Sequence, residues 1–107
     1  SGMPRWLSRV LARVCQLAGQ GKVVFTGKAL EELQALDLEL DERDATEVLA
    51  GLKAADSAGR VRSPETGEWL YVFRPRVADV LLYVKVALRS VCIVVSFHQE
   101  LRDENDA

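Results

Sequence analysis

The sequence predicts an α+β domain in which an antiparallel β-sheet is covered on one side by N-terminal helices. Three observations carry this. Apolar residues recur at helical spacing along Trp6–Ala18, Ala29–Leu36 and Ala45–Leu52. From Arg60 onward the chain instead forms short stretches rich in β-branched and aromatic residues. The two regimes follow one another rather than alternating, which argues against a parallel α/β arrangement. The 107 residues suit a single domain spanning residues 1–107, and with 49% apolar residues it can bury one core.

Pro4 suits the first turn of a helix. Trp6, Leu7, Val10, Leu11, Val14, Leu17 and Ala18 form its apolar stripe, and Gly19 and Gly21 end it. Arg5, Arg9 and Arg13 recur every four residues on the other side, either as a phosphate-facing stripe or as a solvated face. Lys22 to Thr26 predicts a short strand. Thr26 fits the N-cap of a second helix through Ala29, Leu30, Leu33 and Leu36, and Asp41 that of a third containing Arg43 to Lys53. Ala54 to Gly59 reads as a loop. Arg60–Ser63 and Glu68–Arg74 predict a hairpin about the turn Pro64-Glu65-Thr66-Gly67. Pro75 cannot donate a ladder hydrogen bond, so it marks an edge or a bulge.

Val80–Leu88 and Val91–His98 predict the last hairpin. With Arg89-Ser90 as the loop, Leu88 faces Val91, Val86 faces Ile93, Val84 faces Val95 and Leu82 faces Phe97, a wholly apolar core face. The other face sets Lys85 against Val94, Tyr83 against Ser96 and Leu81 against His98. Arg-Ser is not a favoured two-residue turn pair, so the faces are better determined than the partners. Residues 99–107 form an acidic tail expected to fray.

Ser1 and Gly2 read as a tag-cleavage scar. No run of about 18 apolar residues is present and no secretory signal pattern is visible, so neither membrane contact nor export is expected. Cys15 and Cys92 lie far apart in apolar settings and read as buried free thiols of a reducing, cytoplasmic compartment. One histidine and no CxxC pair predict no metal site and no cofactor. The net charge of −2 hides a segregation. Eight acids crowd residues 31–48 and four more lie in the tail; the rest of the chain carries twelve basic groups against four acids. That balance predicts a basic face able to steer polyanions, unless the charges interleave in space and cancel.

The chemistry-bearing residues gather between Arg60 and Gln99. Tyr83 and Lys85 sit two apart on one strand and share a face. Arg60 and Arg62 do the same beside the Pro-Gly turn, while Arg74 and Arg76 bracket Pro75. A phenol, a lysine and several guanidinium groups on an apolar platform suit RNA phosphate. Arg62, Arg74 and Arg76 are read as RNA contacts, with Tyr83, Arg60 and Lys85 beside them, all on the helix-free side of the sheet. Each has a structural alternative. Tyr83 can simply cover the sheet beside Ser96, Lys85 can be a solvated strand lysine, and Arg74 and Arg76 can fasten the Pro75 bend. Trp69 reads as core, and His98 closes its strand near the tail.

Trp69, Val72, Phe73, Arg74-Pro75-Arg76, Tyr83, Lys85 and Val95-Ser96-Phe97 fit a W-x-x-V-[YF]-R-P-R run, a Y-x-K strand and a final V-S-F strand. Leu7-Ser8, Ala18-Gly19-Gln20, Ala29-Leu30, Leu36-Asp37-Leu38 and Gly51-Leu52 follow in compatible order. In these features the chain resembles the MqsR family of type II toxins over almost its whole length. The resemblance implies a RelE-like fold, a ribosome-independent and sequence-selective endoribonuclease of single-stranded mRNA, and a cognate antitoxin as partner. It also implies cleavage by a loop lysine, a glutamine after the tryptophan and the tyrosine of Y-x-K. Here the tyrosine is Tyr83, the glutamine position is Leu70, and the lysine position falls near Gly59, with Arg60 the nearest basic residue. RNA cleavage without metal needs a base for the 2′-hydroxyl, cations for the phosphorane and an acid for the leaving 5′ oxygen. On this resemblance Tyr83, Arg60 and Lys85 are expected to be catalytic. The alternative is a catalytically degenerate relative that binds RNA or an antitoxin-like protein without cleavage.

Overall fold

Pro4 starts the first helix as its φ of −56° allows, and α1 (Arg5–Gly19) buries Leu7, Val10, Val14, Leu17 and Ala18. The computed structural model describes residues 2–100. After β1 (Val23–Phe25), the Thr26 hydroxyl accepts the Ala29 N–H at 3.1 Å and opens α2 (Gly27–Ala35). Asp41 and Asp44 form a reciprocal capping box at α3 (Glu42–Ala50). A 3-10 turn (Ala54–Asp56) leads into β2 (Ser57–Arg62), β3 (Trp69–Phe73), β4 (Arg76–Val77), β5 (Val80–Leu88) and β6 (Cys92–Gln99).

The α+β class is as expected, but the sheet is mixed rather than antiparallel. Its order is β1-β6-β5-β3-β2, with β4 paired to β5 off this path, and β1 runs parallel to β6. A parallel neighbour needs a long connection, which everything between Thr26 and Val91 supplies. Helices α1 and α3 pack together over one face, where Leu82, Val84, Val86, Val94, Phe97 and Phe73 meet Leu7, Val10, Val14, Leu17 and Leu49. Each such side chain fully withdrawn from water contributes about 1.5–3 kcal/mol.

Three local expectations change. The predicted loop before Arg60 is strand: Ser57 pairs with Phe73, and Asp56 O accepts the Arg74 N–H at 2.7 Å. A bulge between Ser57 and Arg60 absorbs the extra length, with Gly59 at φ +94°, a conformation glycine adopts without steric cost. Beyond Pro75 the chain forms a further small hairpin. Val77 pairs with Val80 across Ala78 and Asp79, both at positive φ (49° and 65°).

The last hairpin differs most. Leu88 pairs with Cys92 rather than Val91, so the loop has three residues, and a bulge follows where Lys85 and Val86 oppose Ser96 and Val94. Val95 is the extra residue. The core face of β6 is therefore Cys92, Val94 and Phe97, whereas Ile93 and Val95 lie on the opposite face; the β5 core residues Leu82, Val84 and Val86 are as expected. Arg-Ser supplies no residue at ease with positive φ, so the tight two-residue turn gives way to a longer one. The bulge then brings Phe97 back to the core. Gln99 ends β6 and the Glu100 N–H donates to Leu81 O at 2.8 Å, so the first two residues assigned to the fraying tail are ordered; the rest of it lies outside the described residues.

Candidate active site

The open face of the sheet, opposite α1 and α3, is built by the alternate residues of β5. Tyr83, Lys85 and Ala87 point there because Leu82, Val84 and Val86 enter the core. Val72 pairs with Lys85, and Ile93 with Ala87, so these share that face. Leu70, Val72 and Ala87 are buried on it without joining the main core.

The true register pairs Tyr83 with His98, not Ser96. Their rings stack with centroids 5.0 Å apart and planes at 14°. His98 Nδ1 lies 2.7 Å from the Gln99 carbonyl oxygen. A carbonyl only accepts, so Nδ1 is the donor in this contact, and in the neutral ring Nε2 is then the acceptor. Sequence reasoning gave His98 no part in the site. Its position beside Tyr83 becomes visible only once the bulge at Val95 is known.

Lys85 pairs with Ser96 and lines a cleft of about 490 Å³ floored by Leu70, Ala87, Ile93 and Val95. Ser96 is buried and its Oγ accepts from Lys28 Nζ at 2.9 Å, so α2 adds a second ammonium to this face. Lys28 also pairs with Glu32 at 2.9 Å. Burial pushes the Glu32 carboxyl up, but the Phe97 N–H, 2.9 Å from Oε1, and the Lys28 ammonium outweigh it and hold the carboxyl below its ordinary value. Arg74 follows Phe73, which pairs with Val84, so Arg74 emerges beside Tyr83; its Nε is 3.4 Å from Glu100 Oε2. That oxygen is buried without a directed hydrogen bond, so the contact is a charge pairing.

The remaining arginines do not join this group, contrary to the expectation of one cationic cluster. Arg60 pairs with Tyr71, which pairs with the core residue Val86, so Arg60 and Arg62 face the helix side. The Arg60 guanidinium lies 4.7 Å from the Trp6 ring centroid and 4.0 Å from that of Trp69; Arg62 is 4.0 Å from Trp69. Trp69, expected in the core, is half-buried between these two cations instead. Alternation assigns two faces to each strand by itself, but only the paired sheet shows which faces coincide. Arg76 donates from Nη1 to Asp79 O at 3.3 Å, tying down the Ala78-Asp79 turn, and lines a separate hollow with Glu47 and Val48 of α3. Among the positions the resemblance singles out, Leu70 belongs to the apolar floor, and Gly59 brings no side chain.

Both cysteines are free thiols; Cys92 is buried, and Cys15 only half-buried. Burial pushes the Cys92 thiol up to about 12, which makes it inert as a nucleophile. Among the described residues no three histidine, cysteine or carboxylate side chains gather, and no helix is long and apolar enough to cross a membrane.

Fold and site thus define a small α+β protein presenting a phenol, an imidazole and several cations on the uncovered face of its sheet. The chain belongs to the MqsR toxin family, described as motility quorum-sensing regulator, toxin of MqsA: the family model matches residues 8–99. It is therefore a toxin of a toxin–antitoxin pair, and the partner of its family is an antitoxin. No curated protein matches the chain.

Proposed function

We propose that this toxin is a metal-independent endoribonuclease of single-stranded mRNA and that the open face around Tyr83 is where it cleaves. The stacked Tyr83–His98 pair, with Lys85 and Arg74 on the same face, carries the reading. The four groups meet the demands of transphosphorylation. His98 Nε2 takes the proton of the 2′-hydroxyl, whose oxygen attacks phosphorus. The bond from phosphorus to the 5′ oxygen breaks as the Tyr83 hydroxyl protonates the leaving oxygen. Lys85 and Arg74 face the charge that builds on the non-bridging oxygens, where one pre-organised donor is worth about 3 kcal/mol. The products are a 2′,3′-cyclic phosphate and a 5′-hydroxyl. The cleft beside Lys85, apolar at its floor and lined also by Glu65, Glu68 and Arg89, offers a seat for one base next to the scissile phosphate.

The test is incubation of a defined RNA with the purified toxin in EDTA, followed by mapping of the ends. Cyclic phosphate or 3′-phosphate ends that vanish with Tyr83→Phe support the reading; intact RNA overturns it. A second reading has its own observation, the apolar Leu70 and the side-chain-free Gly59 at two positions where the resemblance expects cleavage groups. On that reading the protein binds RNA or an antitoxin without cutting, and the same incubation leaves the RNA whole.

A further inference from the structure

The helix side of the β2–β3 edge carries an arrangement that the proposed cleavage does not use. Trp6, Arg60, Trp69 and Arg62 form a ladder of alternating rings and guanidinium groups, linked by distances of 4.7, 4.0 and 4.0 Å. Tyr71 extends it by stacking on Trp6 with centroids 5.8 Å apart. Stacking occupies the faces of a guanidinium and leaves its edge N–H donors available. Arg60 makes no side-chain hydrogen bond or ion pair among the described residues, and Arg62 uses one nitrogen, 2.7 Å from Gly67 O.

The ladder does not stand alone. Arg9 and Arg13 lie three and seven positions after Trp6, on the flank of α1 that carries it, and Arg5 continues the same stripe. All three are exposed, and the stripe spans about 12 Å of helix. Arg13 reaches 3.4 Å from Arg89 O, which places the stripe's far end at the β5–β6 loop. The ion-paired acid in this region is Glu68, matched by Arg89 at 2.7 Å. Residues 2–30 contain no acid at all.

We infer that this surface is a second binding site for single-stranded nucleic acid, on the opposite side of the sheet from Tyr83, which holds the RNA chain away from the cleavage point. The outer plane of the exposed end member Arg62 takes a base by stacking without regard to sequence, and the free guanidinium edges along the ladder take phosphates. The α1 arginines continue the track for the backbone. This deepens the RNA reading proposed above, but it needs no cleavage to be tested.

The probe is a fluorescein-labelled 2′-O-methyl oligouridylate of about 12 nucleotides, which has no 2′-hydroxyl nucleophile and is bound intact. Trp6 and Trp69 are the two tryptophans of the chain, so intrinsic emission reports this surface directly. We expect salt-sensitive quenching on binding. Arg60→Gln with Arg62→Gln should weaken affinity at least tenfold and lower the salt slope by about 0.7 for each phosphate no longer neutralised. Should the double variant melt below the assay temperature, Arg5→Gln with Arg9→Gln, both exposed on α1, should weaken binding severalfold and lower the slope likewise. Wild-type affinity and slope in the folded variants overturn the inference. So does oligonucleotide binding with unchanged tryptophan emission, or a loss of antitoxin binding with oligonucleotide binding intact. Cleavage by the wild type with normal oligonucleotide binding by the double variant would spare the nuclease reading and remove this one. The converse result would do the opposite.

Discussion

Glu32 joins α2 to the sheet through a single carboxylate. One oxygen accepts the Phe97 N–H where β1 no longer covers the edge of β6, and the other pairs with Lys28. Glu32→Ala leaves that N–H without its partner, and should cost about 1–3 kcal/mol at neutral pH, read as a lower midpoint in urea. The carboxyl is held below its ordinary value in the folded state. Its stabilisation is therefore present above the carboxyl's unfolded value and is lost as pH falls through the folded one. The gap in midpoint between wild type and Glu32→Ala should be full at pH 7 and close in acid. A gap independent of pH would show that the carboxylate charge contributes nothing. Nothing in the local sequence pairs residue 32 with residue 97, so this contact was not legible before the fold.

Two elements show where strand reading succeeds and where it stops. The β4–β5 turn holds Ala78 and Asp79 at positive φ, a left-handed geometry costly for alanine. Ala78→Asn with Asp79→Gly matches residues to a type I′ turn and should stabilise the protein by about 1 kcal/mol, measured by thermal melting. No change, or a lower Tm, would contradict the turn assignment. In β6 the alternation of apolar residues reads equally well in either phase, because Cys92, Ile93, Val94 and Val95 are all apolar. The bulge at Val95 decides the phase. Val94→Ala should therefore cost about 2 kcal/mol or more, while Val95→Ala, on the half-buried open face, should cost much less. The reverse order of losses would restore the two-residue turn and the unbulged register.

At the scale of the whole molecule, the sheet divides the cations into two populations. Lys28, Lys85 and Arg74 lie on the open face with Tyr83 and His98, whereas on the helix side Arg60 stacks between Trp6 and Trp69, and Arg62 on Trp69. Expression of the wild type should arrest growth of a bacterial host, and Tyr83→Phe and His98→Gln should each lower RNA cleavage at least tenfold, about 1.4 kcal/mol or more of transition-state stabilisation. Unchanged rates in folded variants would take both groups out of the chemistry. An Arg60→Gln variant that kept the cleavage rate on a very short RNA but lost it on a long one would fit a holding role rather than a chemical one.

Periodicity, caps and turn residues were enough to place all three helices, the Pro64–Gly67 hairpin and the core face of β5, because each depends on interactions between near neighbours in the chain. The pairing of Tyr83 with Lys85 on one face was legible for the same reason, since strand alternation is local. Which cations join them was not. That choice depends on how separate strands align, on two bulges that reset the alternation, and on a helix that brings Lys28 against Ser96 from 68 residues away. Such alignments are settled by burying Val94, Phe97 and Phe73 together in one core, a condition that no single stretch of the sequence contains.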